Sequence, residues 1–161
     1  MTTPTFKRHA IQLQSLQVIE LSLKVLDQIV IDKSDDFSPN GFSIESGYSP
    51  YDEKHHSIAV RMRVVVGEDI EGSEERDGIS TTSDNTENPL YVHVEVQGVF
   101  SVDPEHFPIQ HIEDWASKNA PYILYPYIRE HVYALTARVN VKPLLLPLFE
   151  VPTYKVTKES K

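Results

Sequence analysis

At 161 residues and 18.4 kDa, with 40% hydrophobic and 24% charged residues, the chain fits one globular domain and is neither a fibrous repeat nor wholly disordered. It has no cysteine, which excludes thiolate catalysis, Cys-ligated zinc or iron–sulfur sites, and an obligate disulfide scaffold. A formal charge of −9 opposes attraction to a phosphate backbone, so no nucleic-acid partner is expected.

The opening run Met1 to Ala10 lacks the apolar core of a signal peptide, and no later run approaches the ~20 residues of a membrane span. The expectation is a cytoplasmic protein without membrane insertion. Residues 11 to 31 alternate apolar and polar side chains with slips in register (Ile11 and Leu13, then Val18, then Leu21, Leu23 and Val25), which predicts a long strand with a bulge or break. Asp35 to Gly41 is dense in turn residues and predicts a loop, followed by a short strand over Phe42 to Tyr48 and a second turn over Ser49 to Lys54. Ser57 to Gly67 places Ile58, Val60, Met62, Val64 and Val66 on one face and Arg61 and Arg63 on the other, which predicts a strand.

Residues 68 to 87 hold Glu68, Asp69, Glu71, Glu74, Glu75, Asp77, Asp84 and Glu87 against Arg76 alone. Such a stretch buries too little surface to order itself, so 68–88 is expected to be a mobile acidic insertion acting as a solvated spacer. Leu90, Val92, Val94 and Val96 then alternate with Tyr91, His93, Glu95 and Gln97. Strands joined by polar loops predict antiparallel neighbours, and the first half reads as a meander.

From Pro104 the spacing becomes helical, through Ile109, Ile112, Trp115 and Ala116. Pro126 fits a first helical turn, after which Tyr127, Ile128, His131, Val132, Leu135 and Val139 predict a long amphipathic helix. Pro143 and Pro147 bracket three leucines, and residues 153–161 form a short basic tail. Strands first and helices after make a single α+β domain over 1–161.

Three segments, Gln97-Gly98-Val99-Phe100, Asn119 to Glu130 and Lys142 to Leu148, occur in this order and resemble the SecB protein-export chaperone family. The carrying residues are Gly98, Phe100, Pro121, Pro126, Tyr127, Arg129, Glu130 and Pro143. The resemblance implies a four-stranded antiparallel sheet packed by a long helix in the C-terminal half, assembled as a homotetramer (a dimer of dimers). It implies an ATP-independent holdase that needs no cofactor and binds unfolded polypeptides in a hydrophobic groove. By family position that groove would recruit Phe37, Phe42, Ile44, Tyr48, Leu144, Leu148 and Phe149. Family members dock on SecA through acidic side chains of the sheet and a C-terminal tail. Here the strand before Gly98 offers only Glu95 and the tail is basic, which weakens the expectation of SecA as partner and favours a dedicated chaperone whose client is an antitoxin with a hydrophobic tail.

The competing reading is a small-molecule-binding or thioester-acting enzyme on a helix-on-sheet fold, with His93, Glu95, Asp103 and His106 assembled into a general-base pair. No nucleophile elbow or phosphate-cradling glycine loop supports it, and no catalytic residue is assigned. Among seven histidines, His55-His56 point to opposite faces of a strand, and the spacing from His106 to His111 suits no bidentate pair. No metal ligand is therefore predicted.

Overall fold

The computed structural model of the chain describes residues 7–26, 42–67, 90–139 and 142–150. The turn holding Phe37, the acidic insertion at 68–88 and the tail at 153–161 lie outside these residues. Strands β1 (Ile11–Val25), β2 (Phe42–Tyr48), β3 (Ser57–Val66) and β4 (Leu90–Val102) form one antiparallel sheet in the order β1-β4-β3-β2. The expected meander holds only for β2-β3-β4. β1 pairs along the whole of β4 instead of with β2, because fifteen residues match the thirteen of β4 whereas β2 has seven.

Period-2 alternation sets the two faces of the sheet. Ile58, Val60, Met62, Val64 and Val66 of β3 and Val92, Val94, Val96 and Phe100 of β4 are buried on the inner face. Each contributes about 1.5–3 kcal/mol of burial free energy. Arg61, Arg63, His93, Glu95 and Gln97 project from the outer face. The register slips read in β1 are irregularities between Leu13 and Ser15 and between Val18 and Glu20.

A 3-10 turn, Ile109–His111, leads into α1 (Ile112–Lys118), and α2 (Ala120–Thr136) follows after Asn119. α1 buries Ile112, Trp115 and Ala116, and the Trp115 ring meets Phe100 edge-on at 5.2 Å. α2 buries Ala120, Leu124, Tyr125, Ile128, Val132 and Thr136 against the sheet. The start of the long helix differs from the sequence expectation, since Pro121 occupies the first turn and Pro126 lies inside the helix. The first turn needs no intrahelical N–H, so Pro121 costs nothing there. Pro126 removes the bond that would reach the Tyr122 carbonyl, and its ring stands on the exposed side of α2.

Gly98 sits where α2 comes closest to the sheet. A Cβ there would stand 2.7 Å from Leu124 Cδ2, 3.0 Å from Leu13 Cδ1 and 3.1 Å from Phe100 Cε2.

Candidate functional site

After α2, residues 142–150 run back along the helix without regular secondary structure, because Pro143 and Pro147 cannot donate to a ladder. Three side chains of α2 hold this connection. Thr136 Oγ1 accepts from the Leu144 N–H at 2.8 Å while donating to the Val132 carbonyl, Arg129 Nε donates to the Leu146 carbonyl at 2.7 Å, and the Tyr125 hydroxyl donates to the Pro147 carbonyl at 2.5 Å. Burial pushes the Tyr125 phenol up, against the opposing charge of Arg129, so the hydroxyl keeps its proton and remains a donor. Leu146 is buried between these ties. Thr136→Val keeps the volume but leaves the Leu144 amide without its acceptor. It should cost about 1–3 kcal/mol in chemical denaturation and speed hydrogen exchange at Leu144; an unchanged midpoint and exchange rate would show that the tie carries no weight.

The anchored connection turns an otherwise open corner into a groove of about 680 Å³. Phe42 and Ile44 of β2, Met62 of β3, Pro121 and Tyr122 of α2, and Phe149 of the connection supply its apolar surface, with Ser117, Lys118, Asn119 and Glu150 among the polar lining. Room exists because Ser46, a small residue on the inner face, pairs opposite Met62. A second groove of about 480 Å³ follows, lined by Tyr125, Pro126, Arg129, Glu130, Tyr133, Leu145 and Leu148. The Phe149 ring packs on Tyr125 at 4.4 Å between centroids, so the two grooves share a wall. Leu148, a wall of the second groove, is 77% exposed. Among the described residues β2 is an edge strand, with backbone groups on one side left unpaired by the sheet.

Of the predicted groove residues, Phe42, Ile44 and Phe149 line the first groove and Leu148 the second. Leu144 instead packs half-buried against the core, Tyr48 lies exposed on β2 beyond the groove, and Phe37 lies outside the described residues. Gly98 and Phe100 are core positions, Pro121 lines the first groove, and Pro126, Arg129 and Glu130 line the second. Tyr127 is exposed on α2 and Pro143 half-buried in the connection. Met62, Tyr122, Leu145 and Tyr133 were not among the predicted groove residues; strand periodicity places Met62 on the core face of β3.

The outer face is a lattice of charge. Arg63 Nη2 pairs with Glu45 at 2.6 Å, Arg61 Nη1 lies 3.4 Å from Glu95, and His93 lies between Glu20 and Glu95. His93, Glu95, Asp103 and His106 do not form one set. The first two gather with Glu20, whereas Asp103 and His106 form a separate exposed turn pair at 2.7 Å. The hydrogen bond from His106 holds the Asp103 carboxyl below its usual range, with help from the backbone N–H of Glu105 and of His106, which gives a turn cap and not a proton acceptor. No described helix is long and apolar enough to cross a membrane.

Residues 7–151 match the family model described as preprotein translocase subunit SecB. An uncharacterized protein of Methanocaldococcus jannaschii is 37% identical over 68 residues, covering 42% of this chain and 43% of that one, so the chain spans less than half of that relative's length. Among solved structures, the SecB-like chaperone Rv1957 of Mycobacterium tuberculosis, in complex with a ChAD peptide from the Rv1956 HigA1 antitoxin, is similar in fold. It superposes with a TM-score of 0.57 at 17% identity over 88% of each chain.

Proposed function

The chain belongs to the SecB family, and from that premise we propose that it is an ATP-independent holdase that keeps apolar segments of unfolded polypeptides in the grooves beside β2. The observation that carries this reading is the apolar groove of Phe42, Ile44, Met62, Tyr122 and Phe149 set against β2, the edge strand of the described sheet. Apolar burial is non-directional and accepts many sequences, while an extended client can add backbone hydrogen bonds along an edge strand. Phe42, Ile44, Leu148 and Phe149 are the proposed gripping residues, with Leu144 supporting them through its place in the connection and Tyr48 extending the surface; Phe37 is a proposed client contact from family position alone. The chain acts as one domain over 1–161, in the cytoplasm, without cofactor or catalysis, and its acidic insertion is a spacer.

The favoured client is an antitoxin with a hydrophobic tail. Two features support that choice over SecA-linked export. The similar mycobacterial chaperone was solved with an antitoxin peptide, and the outer face mixes Arg61 and Arg63 with Glu45 and Glu95 instead of presenting a uniformly acidic surface. The exposed Val18, Ile19, Leu21 and Val25 of β1 support assembly with further copies into a homotetramer.

The test is light scattering from a chemically unfolded model protein diluted into buffer without nucleotide. Near-stoichiometric amounts of the chain should suppress aggregation. Scattering that is unchanged, or reduced only when ATP is present, would overturn the reading.

A further inference from the structure

We propose that Glu20, His93 and Glu95 form a binding site for a first-row divalent cation, zinc above all, on the outer face of the sheet. The register creates the arrangement. His93 and Glu95 are two residues apart on β4 and share a face, and the irregularity between Val18 and Glu20 in β1 brings Glu20, not Ile19, opposite Glu95. Bulges of this kind re-aim a side chain, and here the result sets two carboxylates directly across from each other, a pairing that destabilises a sheet unless a positive charge lies between them.

The imidazole occupies that intervening place without satisfying it. His93 Nδ1 is 3.3 Å from Glu20 Oε1, and Nε2 is 3.6 Å from Glu95 Oε2, too far for a hydrogen bond. Nε2 is buried and is the one buried side-chain nitrogen or oxygen among the described residues with no hydrogen-bond partner. Leaving such a group unpaired is costly, and a cation supplies the missing partner. One nitrogen from His93 and one oxygen from each carboxylate lie within 4.8 Å of one another. Bonds of about 2.0–2.2 Å to a tetrahedral zinc put neighbouring ligand atoms roughly 3.4 Å apart, so ligand atoms already within 4.8 Å of one another close on the ion by side-chain rotation.

The surroundings suit a dication of borderline softness. His93 and Glu95 side chains are each 14% exposed, so the ligands are partly desolvated, while Glu20, at 45%, leaves an approach from solvent. Ser22 Oγ donates to Glu20 Oε1 at 2.8 Å and steadies that carboxylate. Arg61 is the competing charge. Its guanidinium is held by Gln97 Oε1 at 3.0 and 3.3 Å and approaches Glu95 through Oε1, whereas the oxygen nearest His93 is Oε2. Imidazole with carboxylates and an open fourth position is zinc chemistry more than magnesium chemistry, which prefers an all-oxygen octahedron. The other described three-residue group, Asp103 with Glu105 and His106, is exposed at all three positions, and its His106 already pairs with Asp103, so it serves as the internal comparison.

The experiment titrates the full chain, stripped with a chelator, with zinc in competition with a chromophoric zinc indicator. The wild type should take one equivalent per chain. His93→Gln and Glu20→Gln should each weaken that binding at least about tenfold with an unchanged far-ultraviolet circular dichroism spectrum. His106→Gln should bind as wild type. Because Glu20 is on the surface, its variant stays informative even if His93→Gln folds poorly. Failure of the wild type to take zinc, wild-type binding by Glu20→Gln, or loss of binding in His106→Gln would each overturn the proposal.

Discussion

Gly98→Val is expected to cost about 3 kcal/mol, the upper end of the usual overpacking penalty, and to lower the urea midpoint accordingly. The new Cβ alone would lie within 3.1 Å of side-chain atoms of Leu124, Leu13 and Phe100, and valine adds two methyl groups in a site with no free volume. Leu124 is fully buried, so its tip cannot swing into solvent, and the sheet on the other side is a paired ladder, Gly98 opposite both Val60 and Leu16. The strain is therefore relieved by lifting α2. Since the same helix carries Pro121 and Tyr122, groove binding should fall together with stability. Leu124→Ala alone should cost about 2–5 kcal/mol by cavity formation, yet it should recover part of the loss when placed in the Gly98→Val background, because the two sites share one contact. Additive losses in the double variant would show that the close approach of strand and helix is not what selects glycine.

Phe42→Glu should weaken binding of an apolar client peptide about 10- to 100-fold, the equivalent of the roughly 1.5–3 kcal/mol gained by burying a phenylalanine side chain. The residue is half-buried at the end of an edge strand opposite Val66, so the backbone tolerates the change and the denaturation midpoint should move little. Arg63→Glu, on the outer face of the neighbouring strand, breaks the pair with Glu45 and should leave peptide affinity as it was. Equal affinity for wild type and Phe42→Glu would remove Phe42 from the client surface. Equal losses in both variants would point to a general effect of negative charge.

The inner faces of β3 and β4 were legible because every second position from Ile58 to Val66 and from Leu90 to Val96 is apolar, and a period of two matches the pleat of a strand and not the turn of a helix. Which strands pair was not legible, since periodicity says which side of a strand is buried but not which strand lies beside it. The slips in β1 were visible, yet their consequence, Glu20 facing Glu95, depends on that unseen pairing. Pro126 misled because a proline is most comfortable in a first turn, and only the competing claim of Pro121 on that turn places it inside α2.

The groove was half legible. Phe42, Ile44 and Phe149 followed from family position, whereas Met62 reads as an ordinary core residue of a strand, and it is the small Ser46 opposite it that opens the space. Leu144 went the other way, recruited by Thr136 into a structural tie that no sequence spacing announces.

The place where clients are held is found by mapping, residue by residue, where an extended apolar peptide contacts the full-length chain, using nuclear magnetic resonance of labelled methyl and aromatic groups without nucleotide. Signals of Phe42, Ile44, Met62, Tyr122 and Phe149 should shift together in one saturable titration, while those of Val65 and His93 on the opposite face stay in place. Perturbations confined to that outer face, or a titration that leaves the groove signals unmoved, would show that clients are held elsewhere.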